Sequence, residues 1–284
     1  MSAFAYHRPH SIAEALRLKN ESPDARFVAG GTDVMVKINC GAMRPAALIS
    51  LRAIPELGEI DLGETTSIGA STTIADLLRD VGLCTRYPLL SQAAHKLGGP
   101  QIRNLATIGG NLCNCSPCAD TAPALLALEA RVRLASPLGE REIAIEDFMT
   151  GPGQTCSPPD EILTHVLLPK APSGALGIYL KKGRVCMDLA IVSLAVLLVA
   201  DGDELSRVRL AAGSVAPVCL RLRKAEDLLA GKRVTPKLLA QAAQAAMDAV
   251  TPIDDLRASA DYRRRLVGVY LRRALESLLY GNEP

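Results

Sequence analysis

Residues 28–33 read VAGGTD and residues 106–120 read ATIGGNLCNCSPCAD. These two stretches hold the residue types best able to grip a charged ligand or to do redox chemistry. In the first, Val28, Ala29, Gly30, Gly31, Thr32 and Asp33 follow an apolar run. Small residues at a strand end let successive backbone N–H groups turn toward one point. Such a nest binds phosphate without a lysine. Glycine permits the close approach that a pyrophosphate needs, and Thr32 adds a hydroxyl donor. The spacing is neither G-x-x-x-x-G-K-[ST] nor G-x-G-x-x-G. For this loop alone, a plain tight turn is the competing reading.

The second stretch pairs glycines again, in Thr107, Ile108, Gly109, Gly110 and Asn111. Asp120 follows, and it suits either of two roles. It can accept hydrogen bonds from ribose or ribityl hydroxyls, or it can cap the helix expected over TAPALLAL. Two Gly-Gly loops together suggest an extended dinucleotide. Cys113, Cys115 and Cys118 supply three thiolates at C-x-C-x2-C spacing, one short of a four-thiolate iron–sulfur site. Cys156 serves as a fourth only if the fold returns it to the other three. His7, His10, His95 and His165 form no H-x-x-x-H pair, so no zinc site is expected. Asp188 reads as a structural turn carboxylate, and YRRRL at 262–266 as an exposed helix face or subunit contact.

The elements that position these residues are legible from pattern. Ser11 and Glu14 form a capping box, Thr73 and Asp76 a second one, and Pro88 and Thr235-Pro236 mark further helix starts. Strands are expected in the first part of ARFVAGGTDVMVKI at 25–38, ahead of a tight GGTD loop, at 45–51, within TSIGAST, in ARVRLAS with its hairpin partner EREIAI, and in DEILTHVLLP at 160–169. LAIVSLAVLLVA at 189–200 is too short to span a bilayer and reads as a buried strand. DGD at 201–203 turns it into ELSRVRLAAGSV, so about three antiparallel strands are followed by helices near 220–230, 236–250 and 258–280. A composition change places a boundary near residue 173.

Bulk properties exclude several classes. The formal charge of +2 and an aromatic content of 3% argue against a nucleic-acid surface. The opening MSAFAYHRPHS has no basic leader before an apolar run, so no signal peptide is expected. Eight cysteines then point to a reducing compartment, with the cytoplasm as default.

VAGGTDVMVK and ATIGGNLCNCSPCADTAPALLAL, in this order, resemble the FAD-binding medium subunit of the molybdenum hydroxylases. That is the xanthine dehydrogenase, carbon monoxide dehydrogenase and 4-hydroxybenzoyl-CoA reductase family. YLKKGRVCMDLAIVSLAV at 179–196 and ASADYRRRLVGVYLRRAL at 258–275 extend the resemblance over nearly the whole chain. It implies an α+β fold. Residues 1–172 would form a two-subdomain FAD-binding domain of the vanillyl-alcohol oxidase type, with subdomains of about 1–55 and 56–172. Residues 173–284 would form the C-terminal flavoprotein domain of the carbon monoxide dehydrogenase type, a three-stranded antiparallel sheet with helices.

The resemblance also implies roles. Val28 to Asp33 would hold the pyrophosphate by backbone amides, and Thr107 to Asn111 would form a second wall with Gly110 near the phosphates. Asp120 would bind sugar hydroxyls, Lys181 would lie near the flavin, and Ile162 or Leu163 would pack on the ring. Leu97 occupies a position that is aromatic in some relatives, and Tyr179 is a candidate ring neighbour. The aryl-CoA reductase branch carries a [4Fe–4S] cluster in an insertion after the glycine motif. Nothing is inserted here, so Cys113, Cys115, Cys118 and Cys156 are expected to be thiols rather than cluster ligands.

The implied activity is electron transfer from a small [2Fe–2S] subunit to NAD or another acceptor. Substrate turnover would lie on a large molybdenum-cofactor subunit, in a dimer of heterotrimers. Two alternatives stay open: a medium subunit that does carry an iron–sulfur cluster, and a non-redox nucleotide-binding docking subunit.

Overall fold

The structure is a computed structural model that describes residues 4–202 and 204–281, so Asp203 of the expected DGD turn lies outside the described residues. The chain forms two compact units, and neither is continuous in sequence. The first comprises Met1–Asp80, Gly99–Cys115 and Ala130–Pro169; the second comprises Val81–Gly98, Ser116–Glu129 and Lys170–Pro284.

The first unit starts with three parallel strands, β1 (Ala5–His7), β2 (Arg26–Val28) and β3 (Ala47–Ser50), in the order β1-β3-β2. Helix Ile12–Glu21 crosses between β1 and β2. Ser11 Oγ caps it by accepting from Glu14 N at 3.2 Å. It buries Ala15 and Leu16 against Ala25, Ala47, Ile49 and Leu57. Short helix Val34–Asn39 follows the VAGGTD loop, as the pattern predicts.

The same unit holds a five-stranded antiparallel sheet. Its strands are β4 (Ile60–Asp61), β5 (Thr66–Gly69), β6 (Arg131–Ser136), β7 (Gly139–Ala144) and β10 (Ile162–Leu168), ordered β4-β5-β10-β6-β7. Between β7 and β10 a small hairpin pairs β8 (Met149–Gly151) with β9 (Gln154–Thr155). Central β10 is buried at every position but His165, which explains its nearly unbroken apolar run.

The TIGGN stretch is not a loop. Ile108–Cys113 is a helix, capped by Thr107 Oγ1 accepting from Gly110 N at 3.0 Å. Paired glycines signal a turn by propensity. Here tertiary packing overrides that signal, because a Cβ on Gly109 would stand 2.7 Å from the Ala70 carbonyl oxygen.

The second unit is built on strands β11 (Leu176–Lys182), β12 (Val192–Asp201), β13 (Glu204–Gly213) and β14 (Leu220–Arg221), antiparallel in that order. Three are long, as expected, and β14 adds two residues at the edge. Helices Arg223–Leu229, Pro236–Asp248 and Ala260–Tyr280 share one core with Leu194, Val196, Leu198, Val208 and Leu210. Helices Pro88–His95 and Thr121–Ala127 also pack on this sheet. Burial on both faces accounts for the continuous apolar run of β12, where one-sided burial would have left alternation.

Arg263 corrects one expectation. YRRRL does not present only an exposed face: Arg263 is buried, and its guanidinium donates to Ile191 O (2.8 Å), Ser214 O (3.1 Å) and Asp255 Oδ1 (2.6 Å). Its helix turns it inward among polar groups that only a fixed fork of donors can satisfy.

Burial works against the Asp255 charge. The N–H of Arg257, the Arg263 guanidinium and the N–H of Ala258 outweigh it and bring the carboxyl down from 3.8 to about 2. The lowered value stabilises the fold above about pH 4. That contribution is lost as pH falls through about 2. Arg263→Met should cost about 3 kcal/mol in urea unfolding, because it strands a charge and two carbonyls. It should also flatten the stability loss between pH 4 and pH 2 relative to the parent.

Candidate functional site

The VAGGTD loop joins β2 to helix Val34–Asn39. Val28 is buried at the strand end, and Gly31 has φ +74°, a left-handed turn that glycine adopts without steric cost. Gly30 is required for a different reason. A Cβ there would lie 2.1 Å from Leu105 O, so the loop backbone rests directly on the chain leading into Thr107. Lys37 Nζ braces the same contact by donating to Asn114 Oδ1 at 2.8 Å.

The carbonyls of Gly31 and Asp33 accept from Met35 N (2.9 Å) and Lys37 N (3.0 Å), which starts the helix. The N–H groups of Gly30, Gly31, Thr32 and Asp33 donate to no described residue. Four adjacent donors around a left-handed glycine form an anion-binding concavity.

The second glycine pair behaves otherwise. Ile108 N donates to Thr72 O, Gly109 N to Ala70 O, Gly110 N to Thr107 Oγ1 and Asn111 N to Thr107 O. No amide of Ile108–Asn111 is left for a ligand. What this helix offers is a surface stripped of side chains at Gly109 and Gly110.

Both glycines line a cleft of about 250 Å³ with Ala29, Leu51, Ile162 and Leu163. Ile162 and Leu163 are 2% and 5% exposed, so they form a rigid apolar wall at the start of β10. Phe27, Ser71 and Lys19 also line the cleft and carry no sequence signal of a site. Lys19 is held by the carbonyls of Pro23 and Ala25. The first unit thus unites Val28–Asp33, Thr107–Asn111, Ile162 and Leu163. A nest of free amides beside a cleft with a bare floor and an aliphatic wall suits a ligand with both a phosphate and a flat ring.

Leu97, Asp120, Tyr179 and Lys181 belong to the second unit. Asp120 precedes helix Thr121–Ala127, yet its side chain makes no capping bond. It accepts from Tyr179 OH (3.1 Å) and Lys181 Nζ (2.9 Å) instead. Burial pushes the Asp120 carboxyl above its usual range, and Lys181 and Tyr179 oppose that without cancelling it. Burial, with the Asp120 charge adding to it, pushes the Tyr179 phenol well above 10. Lys181 donates also to Lys96 O at 2.9 Å, beside Leu97, which is buried.

Among the described residues, no group of three or more His, Cys, Asp or Glu is placed to hold a metal ion. Cys113 lines the cleft and is exposed. Cys115 is buried at φ +44°; burial raises its thiol, while the N–H groups of Gly151, Gln154 and Thr150 work the other way. Cys118 N donates to Ser116 Oγ, and Cys156 N to Phe148 O. Asp188 pairs with Arg184 at 2.6 Å and accepts from Leu189 N, so it holds a turn.

Fold and site together define a flavin-binding oxidoreductase component. The family described as the FAD binding domain in molybdopterin dehydrogenase matches residues 2–171, and the CO dehydrogenase flavoprotein C-terminal domain matches residues 178–278. The chain belongs to the FAD-binding medium subunits of the molybdenum hydroxylase family, and FAD is its cofactor.

It is 34% identical to the carbon monoxide dehydrogenase medium chain of Hydrogenophaga pseudoflava, over 96% of each chain. It is 33% identical to the xanthine dehydrogenase FAD-binding subunit of Escherichia coli O157:H7, over 95% of this chain and 94% of that one. The solved carbon monoxide dehydrogenase from H. pseudoflava superposes with a TM-score of 0.95, covering 98% of this chain and 97% of that one. Quinoline 2-oxidoreductase from Pseudomonas putida 86 superposes at 0.94 with 28% identity, covering 99% and 98%.

One outcome follows from this geometry. Gly30→Ala should weaken FAD binding at least about tenfold, about 1.4 kcal/mol, by lifting the loop off Leu105; flavin fluorescence titration reads this.

Proposed function

We propose that this chain is the electron-transfer subunit of a multi-subunit molybdenum hydroxylase. It receives electrons from a small [2Fe–2S] subunit and passes them to NAD or another acceptor. The organic substrate is turned over on a large molybdenum-cofactor subunit, and the assembly is a dimer of heterotrimers in the cytoplasm. Relatives named as medium chains of carbon monoxide dehydrogenase and as a subunit of xanthine dehydrogenase support this division of labour. Eight cysteines, none in a disulfide among the described residues, suit a reducing compartment.

The observation that carries the reading is the set of four amides, Gly30 to Asp33, unpaired among the described residues, in a unit whose cleft has an aliphatic wall. In this reading residues 1–172 are the FAD-binding domain and residues 173–284 the C-terminal flavoprotein domain. The amides of 30–33 hold the pyrophosphate, with Val28 and Ala29 fixing the loop at the strand end. Thr107–Asn111 provide the bare second wall, and Ile162 and Leu163 exclude water from one face of the ligand. Asp120 accepts from sugar hydroxyls, Lys181 places a cation by the ring, and Leu97 packs as an aliphatic neighbour. Bound FAD supplies one- and two-electron chemistry. The protein's own contribution is position, dryness and charge.

The full-length chain, separated from partner chains, should carry flavin bands near one FAD per chain and no iron. It should turn over no purine or aromatic acid, while still passing electrons from NADH or a reduced dye. Iron with acid-labile sulfide in that sample would assign Cys113, Cys115, Cys118 and Cys156 to a cluster. Steady oxidation of an organic substrate would end the proposed division of labour.

A further inference from the structure

Helix Pro88–His95 meets strand β11 at three consecutive points. Gly177 lies under Leu89, where an added Cβ would stand 3.1 Å from Leu89 Cβ. Gln92 comes next: its Nε2 donates to Gly177 O at 3.2 Å, and its Oε1 accepts from Tyr179 N at 2.9 Å. Just past the helix, Lys96 O accepts from Lys181 Nζ at 2.9 Å.

β11 is an edge strand, with β12 on one side only. An edge exposes backbone donors and acceptors that need partners. The Gln92 carboxamide supplies one of each, as a neighbouring strand would. Residues 177, 179 and 181 share one face of the strand. Fixing the backbone at Gly177 and Tyr179 therefore fixes where the Tyr179 hydroxyl and the Lys181 ammonium arrive. Both arrive on Asp120, at 3.1 Å and 2.9 Å. A one-residue slip would turn both away.

We propose that Gln92 is a positioning residue for the flavin. Its carboxamide holds β11 where Tyr179 and Lys181 meet Asp120, and through that pair it sets the charge presented to the cofactor. The proposal rests on the reading of Asp120 and Lys181 as cofactor-binding residues. Gln92 itself need touch no ligand. Without its amide, Tyr179 N and Gly177 O lose their partners, and the Lys181–Asp120 contact loosens. A lysine ammonium beside a redox group favours the form carrying more negative charge, so loosening it moves the midpoint potential.

The test is the flavin midpoint potential of the full-length, FAD-loaded chain, measured by equilibrium dye titration. Four forms are compared: parent, Gln92→Leu, Asp120→Asn and the double variant. Gln92→Leu and Asp120→Asn should each shift the midpoint, and Gln92→Leu should add nothing in the Asp120→Asn background.

A Gln92→Leu protein with the parent's midpoint, beside a shifted Asp120→Asn, overturns the role of Gln92 alone. So does an equal Gln92→Leu shift with and without Asp120. If Asp120→Asn leaves both midpoint and FAD affinity unchanged, the reading of Asp120 fails first, and the proposal fails with it. Should Gln92→Leu not fold, Gln92→Asn takes its place: a shorter amide cannot reach both Gly177 O and Tyr179 N, and the same comparisons decide.

Discussion

One close backbone approach governs the first unit: the Cα of Gly30 against the carbonyl of Leu105. No side chain fits between them. The contact sets the loop after β2 on the segment that leads into helix Ile108–Cys113, so the two glycine stretches meet. Once the loop is seated, its carbonyls start helix Val34–Asn39, while the amides of Gly30 to Asp33 find no partner among the described residues. Leaving four donors without partners costs stability unless water or a ligand satisfies them. The site is therefore tied to the contact that shapes it.

The second unit solves a different problem, the placement of buried charge. Arg221 and Glu226 pair at 2.5 Å under β13, and Glu226 also accepts from Leu210 N at 2.8 Å. Arg263 and Asp255 pair at 2.6 Å beside β12. Lys181 and Asp120 pair at 2.9 Å, with both side chains almost fully buried. Each pair is closed by further hydrogen bonds, the condition under which buried ions are tolerated. The first two tie helices to the sheet. The third holds residues that the proposed function assigns to the cofactor.

Local signals were legible in the sequence where local physics decides. Ser11 with Glu14, Thr73 with Asp76, and Thr235 with Pro236 all start helices, because a cap needs only three or four neighbouring residues. The strands β10 and β12 followed from their apolar runs, β6 from its alternation and β13 from the turn before it. Gly109 and Gly110 were misread as a loop, since the Ala70 contact that demands a small residue lies far off in sequence. Of the two roles open to Asp120, the helix cap is not taken, and its partners stand 59 and 61 residues away. Arg263 looked exposed for the same reason, because the carbonyls it satisfies belong to Ile191 and Ser214. The family resemblance supplied Asp120 and Lys181 as candidates, two residues that such a long-range contact brings together. Gln92 had no signal at all, being one of three polar residues, with Ser91 and His95, in a short helix.

The central claim is that the amides of Gly30 to Asp33 receive the phosphate end of FAD. The most direct measurement is an amide ¹H–¹⁵N spectrum of the labelled apo full-length chain, titrated with FAD and separately with riboflavin. The account predicts that the N–H resonances of Gly30, Gly31, Thr32 and Asp33 move downfield with FAD and hardly move with riboflavin, which has no phosphate. If those four signals stay in place with FAD bound while others shift, the pyrophosphate is held elsewhere and the nest has no part in cofactor binding.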